Sequence, residues 1–301
     1  MDKTVYSITY KSGVFLVLLA GTFWSSMGLG VRLIEQANVW QILFYRSLAL
    51  APFLFFIITI RSNGAPFVII KKAGIASILG GLGLVLAFSG GIFAIQATSV
   101  ANAMFLFAAA PFLTAFLGWF LLAEAIRRET WVYMGFAVLG VLVMVWNGIL
   151  IGHLEGNLSA LISALGFSIF TIALRWGKLE DMLPTVFLAG IFSICISGLL
   201  CFFLNFPFVI SVTDAGIAMC LGVFQVGLGL TVYTLGSKVV PAAELALLSM
   251  TEVVLGPIWV WLFLGEKADF MTLLGGSILL AAILGNAVSG IINSNSIEPL
   301  Q

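Results

Sequence analysis

The chain has 301 residues, 61% of them hydrophobic and only 9% charged, and its 13 basic residues balance 13 acidic ones. A soluble domain of this size cannot hide that much apolar surface, and balanced charge offers no face for a polyanion such as nucleic acid. Spread over many segments, the composition specifies an all-α membrane protein that crosses the lipid bilayer repeatedly.

A spanning helix needs about 20 apolar residues, because the hydrocarbon core is roughly 30 Å thick. The start MDKTVYSITYKSG lacks a small-residue cleavage pattern, so the apolar run after it reads as a retained span. Lys/Arg, Asn, Pro and Gly punctuate the remainder, which gives ten transmembrane helices at 13–34, 40–60, 73–97, 99–123, 130–149, 157–177, 183–204, 214–236, 241–264 and 270–292. The connections are short, so no soluble domain is expected. With a cytoplasmic N-terminus, Lys3, Lys11, Arg61, Lys71, Lys72, Arg127, Arg128, Arg175, Lys178 and Lys238 fall on the cytoplasmic side. Only Arg32, Arg46 and Lys267 lie toward the other side, a bias that predicts both termini in the cytoplasm. The short loops suit a bacterial inner (cell) membrane, and the sequon-like Asn157-Leu158-Ser159 reads as accidental.

In chain order, the first polar or amphipathic residues deep in a span are Trp24, Ser25 and Ser26. Trp24 is too deep for the interfacial aromatic belt, which accounts for Trp40, Trp131, Trp146 and Trp176. Arg32 and Glu35 read as the wet end of the first span. Arg46 sits roughly 9 Å into the second. Three roles stay open for it: snorkelling to the interface, pairing with Glu35, or holding a substrate carboxylate. Gln96 and Asn102 face inward around the third and fourth spans, and Gln225, Thr231 and Tyr233 do so in the eighth. Trp24 and Tyr233 offer ring faces to a flat or cationic substrate, or else pack in the core. The glycine runs GGLG (80–83) and GLG (227–229) read as close helix contacts or flexible points. Cys195, Cys201 and Cys220 lack CxxC spacing and read as small core residues, and a single histidine, His153, leaves no metal cluster. No cofactor is expected.

The ninth span carries the stretch SMTEVVLGPIWVWLFLGEK (249–267), which sets the carboxylate of Glu252 inside a run of Val, Leu, Ile, Trp and Phe. Glu252 is eleven residues past Pro241, about 16 Å along the helix and near mid-bilayer. An ionised group facing lipid there would cost about 3 kcal/mol. Glu252 therefore faces the protein interior, carries a proton or has a partner. Ser249 and Gly256, at i−3 and i+4, are small enough to let a helix or a ligand approach. Two readings stand: Glu252 binds the cationic part of a substrate or takes a coupling proton, or it is a protonated acid bonded to another helix for assembly alone. Glu244, nearer the cytoplasmic end, is a solvated first-turn acid or a gate contact.

Residues 99–124, SVANAMFLFAAAPFLTAFLGWFLLAE, match 241–266, PAAELALLSMTEVVLGPIWVWLFLGE: Trp119 with Trp261, Leu122 with Leu264 and Glu124 with Glu266, each at a spacing of 142. Trp24-Ser25 and Arg32 match Phe167-Ser168 and Arg175 at a spacing of 143. The chain thus divides into two five-helix repeats, 13–149 and 157–292. Five spans is an odd number, so the second repeat enters the membrane from the other face, as an inverted repeat. Glu124 and Glu266 end the matched helices on opposite sides, where each is expected to bond nearby backbone or a basic side chain.

The run AIQATSVANAMFLFAAAPFLTAFLGWFLLAE and its echo TLGSKVVPAAELALLSMTEVVLGPIWVWLFLGE resemble the EamA-like branch of the drug/metabolite transporter superfamily. The resemblance implies ten helices, cytoplasmic termini, a central cavity between the halves, and export of amino acids or other small metabolites. One departure is that Pro111 matches Val253, while Pro257 lies a turn later, so the two helices need not kink at equivalent heights.

Inverted repeats suit alternating access around a site near the midplane. The expectation is a secondary transporter for a small polar metabolite (an amino acid, an amine or a related compound), with or without a coupling proton. No GxxxxGK[ST] motif is present for direct ATP drive. A channel or a non-transporting membrane protein is the alternative. An intramembrane enzyme would need a His, Asp or Ser cluster that the chain lacks.

Overall fold

The computed structural model describes residues 9–150, 152–179 and 181–295, all of them helix or connection with no strand. Among the described residues, ten helical segments are long and apolar enough to cross a membrane. The helices are α1 (Tyr10–Arg32), α2 (Val39–Arg61), a short α3 (Pro66–Lys72), α4 (Gly74–Ala97), α5 (Val100–Phe107), α6 (Ala110–Leu122), α7 (Arg128–Leu150), α8 (Leu154–Trp176), α9 (Leu183–Phe203), α10 (Val212–Cys220), α11 (Gly229–Gly236), α12 (Ala242–Leu264) and α13 (Phe270–Asn295). A π-helical segment, Leu221–Leu228, joins α10 to α11 within the eighth span.

Local chemistry sets the helix ends. Asn38 accepts from the backbone of Trp40 and Gln41 while the Gln41 side chain returns to the Asn38 N–H, a capping box that starts α2. Ser99 and Ser211 cap α5 and α10. The fourth span breaks between α5 and α6 because Pro111 has no N–H to give the preceding turn, so the helix restarts with proline in its first turn. Pro257 instead sits inside a continuous α12, so the matched helices do differ in shape.

Equivalent helices of the two repeats pair with each other, α2 with α9 and α7 with α13. The first helix of each repeat packs against the other repeat: α1 lies along α12 and α10–α11, and α8 lies along α4 and α5–α6. The first helices are thus exchanged, and the two packed bodies are α1 with α10–α12 and α8 with α4–α6. Glycines make the closest of these contacts possible. A methyl group at Gly166 would meet the Ala87 nitrogen and the Gly83 carbonyl at 2.6 Å each. Cys201 is buried, but Cys195 and Cys220 are exposed on the outer surface, so the reading of all three as core residues is corrected.

Each exchanged helix is tied by an ion pair. Arg32 Nε donates to Glu266 at 2.9 Å at the face opposite the N-terminus, and Arg175 pairs with Glu124 at 2.6 Å at the N-terminal face. Arg32 is therefore not merely the wet end of α1. The two pairs are counterparts under the repeat, but their surroundings differ. Arg32 Nη2 also donates to the Thr98 carbonyl at 2.7 Å, and the Val100 N–H donates to Glu266 at 2.7 Å, so this pair grips the α4–α5 corner. Among the described residues, Arg175 makes no corresponding bond to the Val240 carbonyl at the α11–α12 corner. Burial follows the same asymmetry. Val100 through Leu106 of α5 are all buried, whereas every described side chain from Glu244 to Glu252 of α12 is only half-buried. The molecule is closed at the face opposite the N-terminus and open along the start of α12.

A polar network reinforces the closed face. Asp214, 3% exposed, accepts the backbone N–H groups of Gln36 and Ala37 at 3.1 Å each and holds the α1–α2 connection. Asp269 caps α13 through the N–H groups of Met271 and Thr272, and also accepts from the Thr272 hydroxyl and the Asn147 amide. Partial burial alone would raise the Asp269 carboxyl, but the bonds from Thr272 and Met271 outweigh it and hold the group below its ordinary 3.8.

Two outcomes follow. Gly166→Leu is expected to cost at least about 1–3 kcal/mol by forcing α4 and α8 apart, read as a lower thermal midpoint. Gly135→Leu, with nothing within 4 Å of its added carbon, should leave the midpoint unchanged. Because the folded carboxyl is the more acidic, Asp269 stabilises above pH 3.8 and loses that contribution as pH falls through its lower folded value. The stability difference between wild type and Asp269→Asn should shrink correspondingly in acid.

Candidate substrate site

The site builds on the open half of α12. The lipid-facing stripe of this helix is marked by Val254, Ile258, Trp261 and Leu262, all exposed. Glu252 lies about 160° around the helix from Val254 and about 120° from Ile258, so it faces the interior. Gly21 of α1 packs beside Thr251 and the Glu252 backbone, and Gly256 packs against Met104 of α5. Glu252 therefore opens between α1 and α5. It is half-buried, and among the described residues no hydrogen bond or ion pair occupies its carboxylate.

Aromatic groups stand next to it. The rings of Trp24 (α1) and Tyr233 (α11) lie 5.1 Å apart at 43°. The indole fits because residue 229 is glycine: a methyl group there would meet Trp24 Nε1 at 2.6 Å. The Tyr233 phenol lies beside the Ser249 hydroxyl, on the Glu252 face of α12. Trp24, Tyr233, Ser249 and Glu252 thus form one group. Ser25 adjoins it but serves packing, since it is 0% exposed, accepts from Trp259 Nε1 at 2.9 Å and donates to the Thr22 carbonyl. Glu244, at the entrance, accepts the Tyr10 hydroxyl and so ties the starts of α1 and α12 together.

Arg46 does not snorkel and does not pair with Glu35. It lies two residues before exposed Leu48, about 160° from the lipid-facing side of α2, and is 1% exposed. The guanidinium stacks over Phe88 of α4 with its carbon 4.3 Å from the ring centre, and Nε and Nη1 have no hydrogen-bond partner. Gly222 of the π-helical segment closes on the Arg46 carbonyl, where any larger residue would collide. Gln225, on the same segment, is buried with its Oε1 unpartnered. π-helical turns often mark functional sites, and this one lets α10–α11 approach α2 at Arg46.

Two expected site residues lie elsewhere. Gln96 is exposed and donates to the Ala37 carbonyl at 3.0 Å, which secures the α1–α2 connection. Asn102 is buried and donates to Thr98 and Asn157, and it accepts from Thr272 at 3.3 Å. Both belong to the closed face. A pocket of about 160 Å³ lies beside this network, lined by residues that include His153, Lys267, Asp269 and Asn147. Phe88 and Trp259 carry no sequence signal that would separate them from other buried aromatics. The Arg32–Glu266 and Arg175–Glu124 pairs were legible in principle, since all four residues recur at the repeat spacing.

No curated protein matches the chain. A solved structure titled only "Crystal structure of protein" superposes with a TM-score of 0.64, covering 93% of this chain and 98% of its own at 16% identity, a likeness of fold alone. The EamA-like transporter family model matches residues 11–146 and matches again at 154–288. Its two copies coincide with the two five-helix sets, and the chain therefore belongs to the EamA-like transporter family, as a multi-pass membrane transporter of the drug/metabolite type.

Proposed function

We infer that the protein is a secondary carrier that exports a small polar metabolite of the amino-acid or amine class by alternating access. In this reading the repeats 13–149 and 157–292 sit in a bacterial inner membrane with both termini cytoplasmic. The observation that carries the reading is Glu252, a mid-span carboxylate without a partner, reached along a half-buried helix face and flanked by Trp24, Tyr233 and Ser249. A carboxylate beside aromatic faces suits an ammonium group, by charge and by cation–π attraction. The same carboxylate can take a coupling proton when the substrate leaves.

Alternating access is supported by the inverted counterparts. The present conformer closes one face with the Arg32–Glu266 pair gripping the α4–α5 corner. The other conformer would release that corner and seat the α11–α12 corner on Arg175 and Glu124. Under the positive-inside assignment the open face is cytoplasmic, which fits loading before export. The bodies that rock are then those containing the exchanged helices, rather than the two repeats themselves.

The test is counterflow of amino acids and amines in proteoliposomes. Wild type should show saturable exchange, and Glu252→Gln should lose it by roughly tenfold to hundredfold, the value of a charge-assisted hydrogen bond, while remaining folded by size-exclusion profile. Full exchange by the glutamine variant would remove Glu252 from the mechanism, and conductance without saturation would assign a channel.

A further inference from the structure

We propose that Arg46 and Phe88 form an anion-binding subsite for a carboxylate carried by the same substrate whose ammonium group meets Glu252, so that the cargo is a zwitterion. The inference deepens the function proposed above and rests on it for the cationic half.

A guanidinium that is 1% exposed, with Nε and Nη1 both unpartnered, is an incomplete arrangement. Removing a cation from water costs several kcal/mol unless hydrogen bonds and an opposite charge replace the water. The ring of Phe88 lies 4.3 Å from the guanidinium carbon but accepts no conventional hydrogen bond from Nε or Nη1. Unpartnered guanidinium donors suit a carboxylate, which accepts short charge-assisted bonds from them. Among the described residues no anion meets these donors, so the missing partner is an anion from outside them.

The position faces the protein interior. The lipid-facing stripe of α4 is Ile75, Leu79, Leu82 and Leu86, and Phe88 lies about 160° away from Leu86, among buried residues. Phe88 is nevertheless only half-buried. Phe88 and Trp24 pack against the same buried cluster, which includes Leu50, Leu54 and Phe170, so the arginine and glutamate groups border one cluster. Arg46 is seven residues inside α2, and Glu252 is twelve residues before the end of α12, which leaves about 8 Å of depth between their backbones. An extended guanidinium, an amino acid and a glutamate side chain together span that gap. A bare amine would leave Arg46 open, and a bare carboxylic acid would leave Glu252 open.

The test is thermal-shift and counterflow measurement with a panel of the proteinogenic amino acids, their decarboxylated amines and their deaminated acids. Wild type should prefer at least one amino acid over its own amine by roughly tenfold to hundredfold, and Arg46→Met should reduce that ratio to near one while amine binding survives. The ligand-free Arg46→Met protein should be at least as thermostable as wild type, because an unpaired buried charge has been removed. A structural arginine would give the opposite result, a lower midpoint with the preference intact. Phe88→Leu, which keeps the packing volume but not the ring, should weaken the same preference and leave the midpoint close to wild type. Equal affinity for amines and amino acids in wild type would overturn the inference while leaving the Glu252 reading in place. Amine binding that requires chloride and disappears in Arg46→Met would also overturn it, by assigning Arg46 to an inorganic anion. If no panel member binds wild type, both readings fall together.

Discussion

A charged side chain cannot stand in hydrocarbon without cost, and this constraint organises the molecule. Arg46 and Glu252 are ionisable residues well inside spanning helices, and each is turned about 160° from an exposed apolar neighbour two positions away, Leu48 and Val254. Such helices need a protein-lined interior to face. The packing supplies it by laying α1 along α12 and α8 along α4–α6, so that each repeat completes the other. Glycine contacts between α4 and α8, and the π-helical segment against α2, bring the backbones close enough to enclose the space.

The same exchange explains the polar residues at the two ends. Arg32 and Arg175 end the exchanged helices, and each meets the glutamate that ends the fourth span of the other repeat. One pair is half-buried and bonded to a neighbouring corner, whereas its counterpart is more exposed. Two similar devices in different surroundings are what the alternating access proposed above calls for. The buried run Val100 to Leu106 and the half-buried run Glu244 to Glu252 express the same difference along the matched helices.

Much of this was legible in the sequence, for physical reasons. Span count follows from apolar length, and the repeat follows from residues such as Trp119 and Trp261 that recur at one spacing. Glu252 stood out because a carboxylate in an apolar run demands an explanation. What the sequence could not convey was which helices meet. Trp24, Tyr233, Ser249 and Glu252 come together because α1, α11 and α12 pack side by side. Asn102, also polar, sits in the first turn of α5 and is drawn into the closed face by Asn157 and Thr272. Arg46 was ambiguous because its depth allowed snorkelling, and only the α2–α4 contact shows the side chain lying over Phe88. The break in the fourth span, by contrast, follows from the missing N–H of Pro111, but its consequence for the matched α12 required the structure.

The proposed alternating access requires a central site reached from one face at a time. The most direct measurement places a cysteine at Ser249, in a background with Cys195, Cys201 and Cys220 replaced by alanine, and applies a membrane-impermeant thiol reagent from either side. Labelling should come from the N-terminal face, and adding Arg32→Met, which loosens the closed end, should shift it toward the opposite face. A cysteine at 249 that is never reached, or that is labelled from the same face regardless of Arg32, would contradict the account.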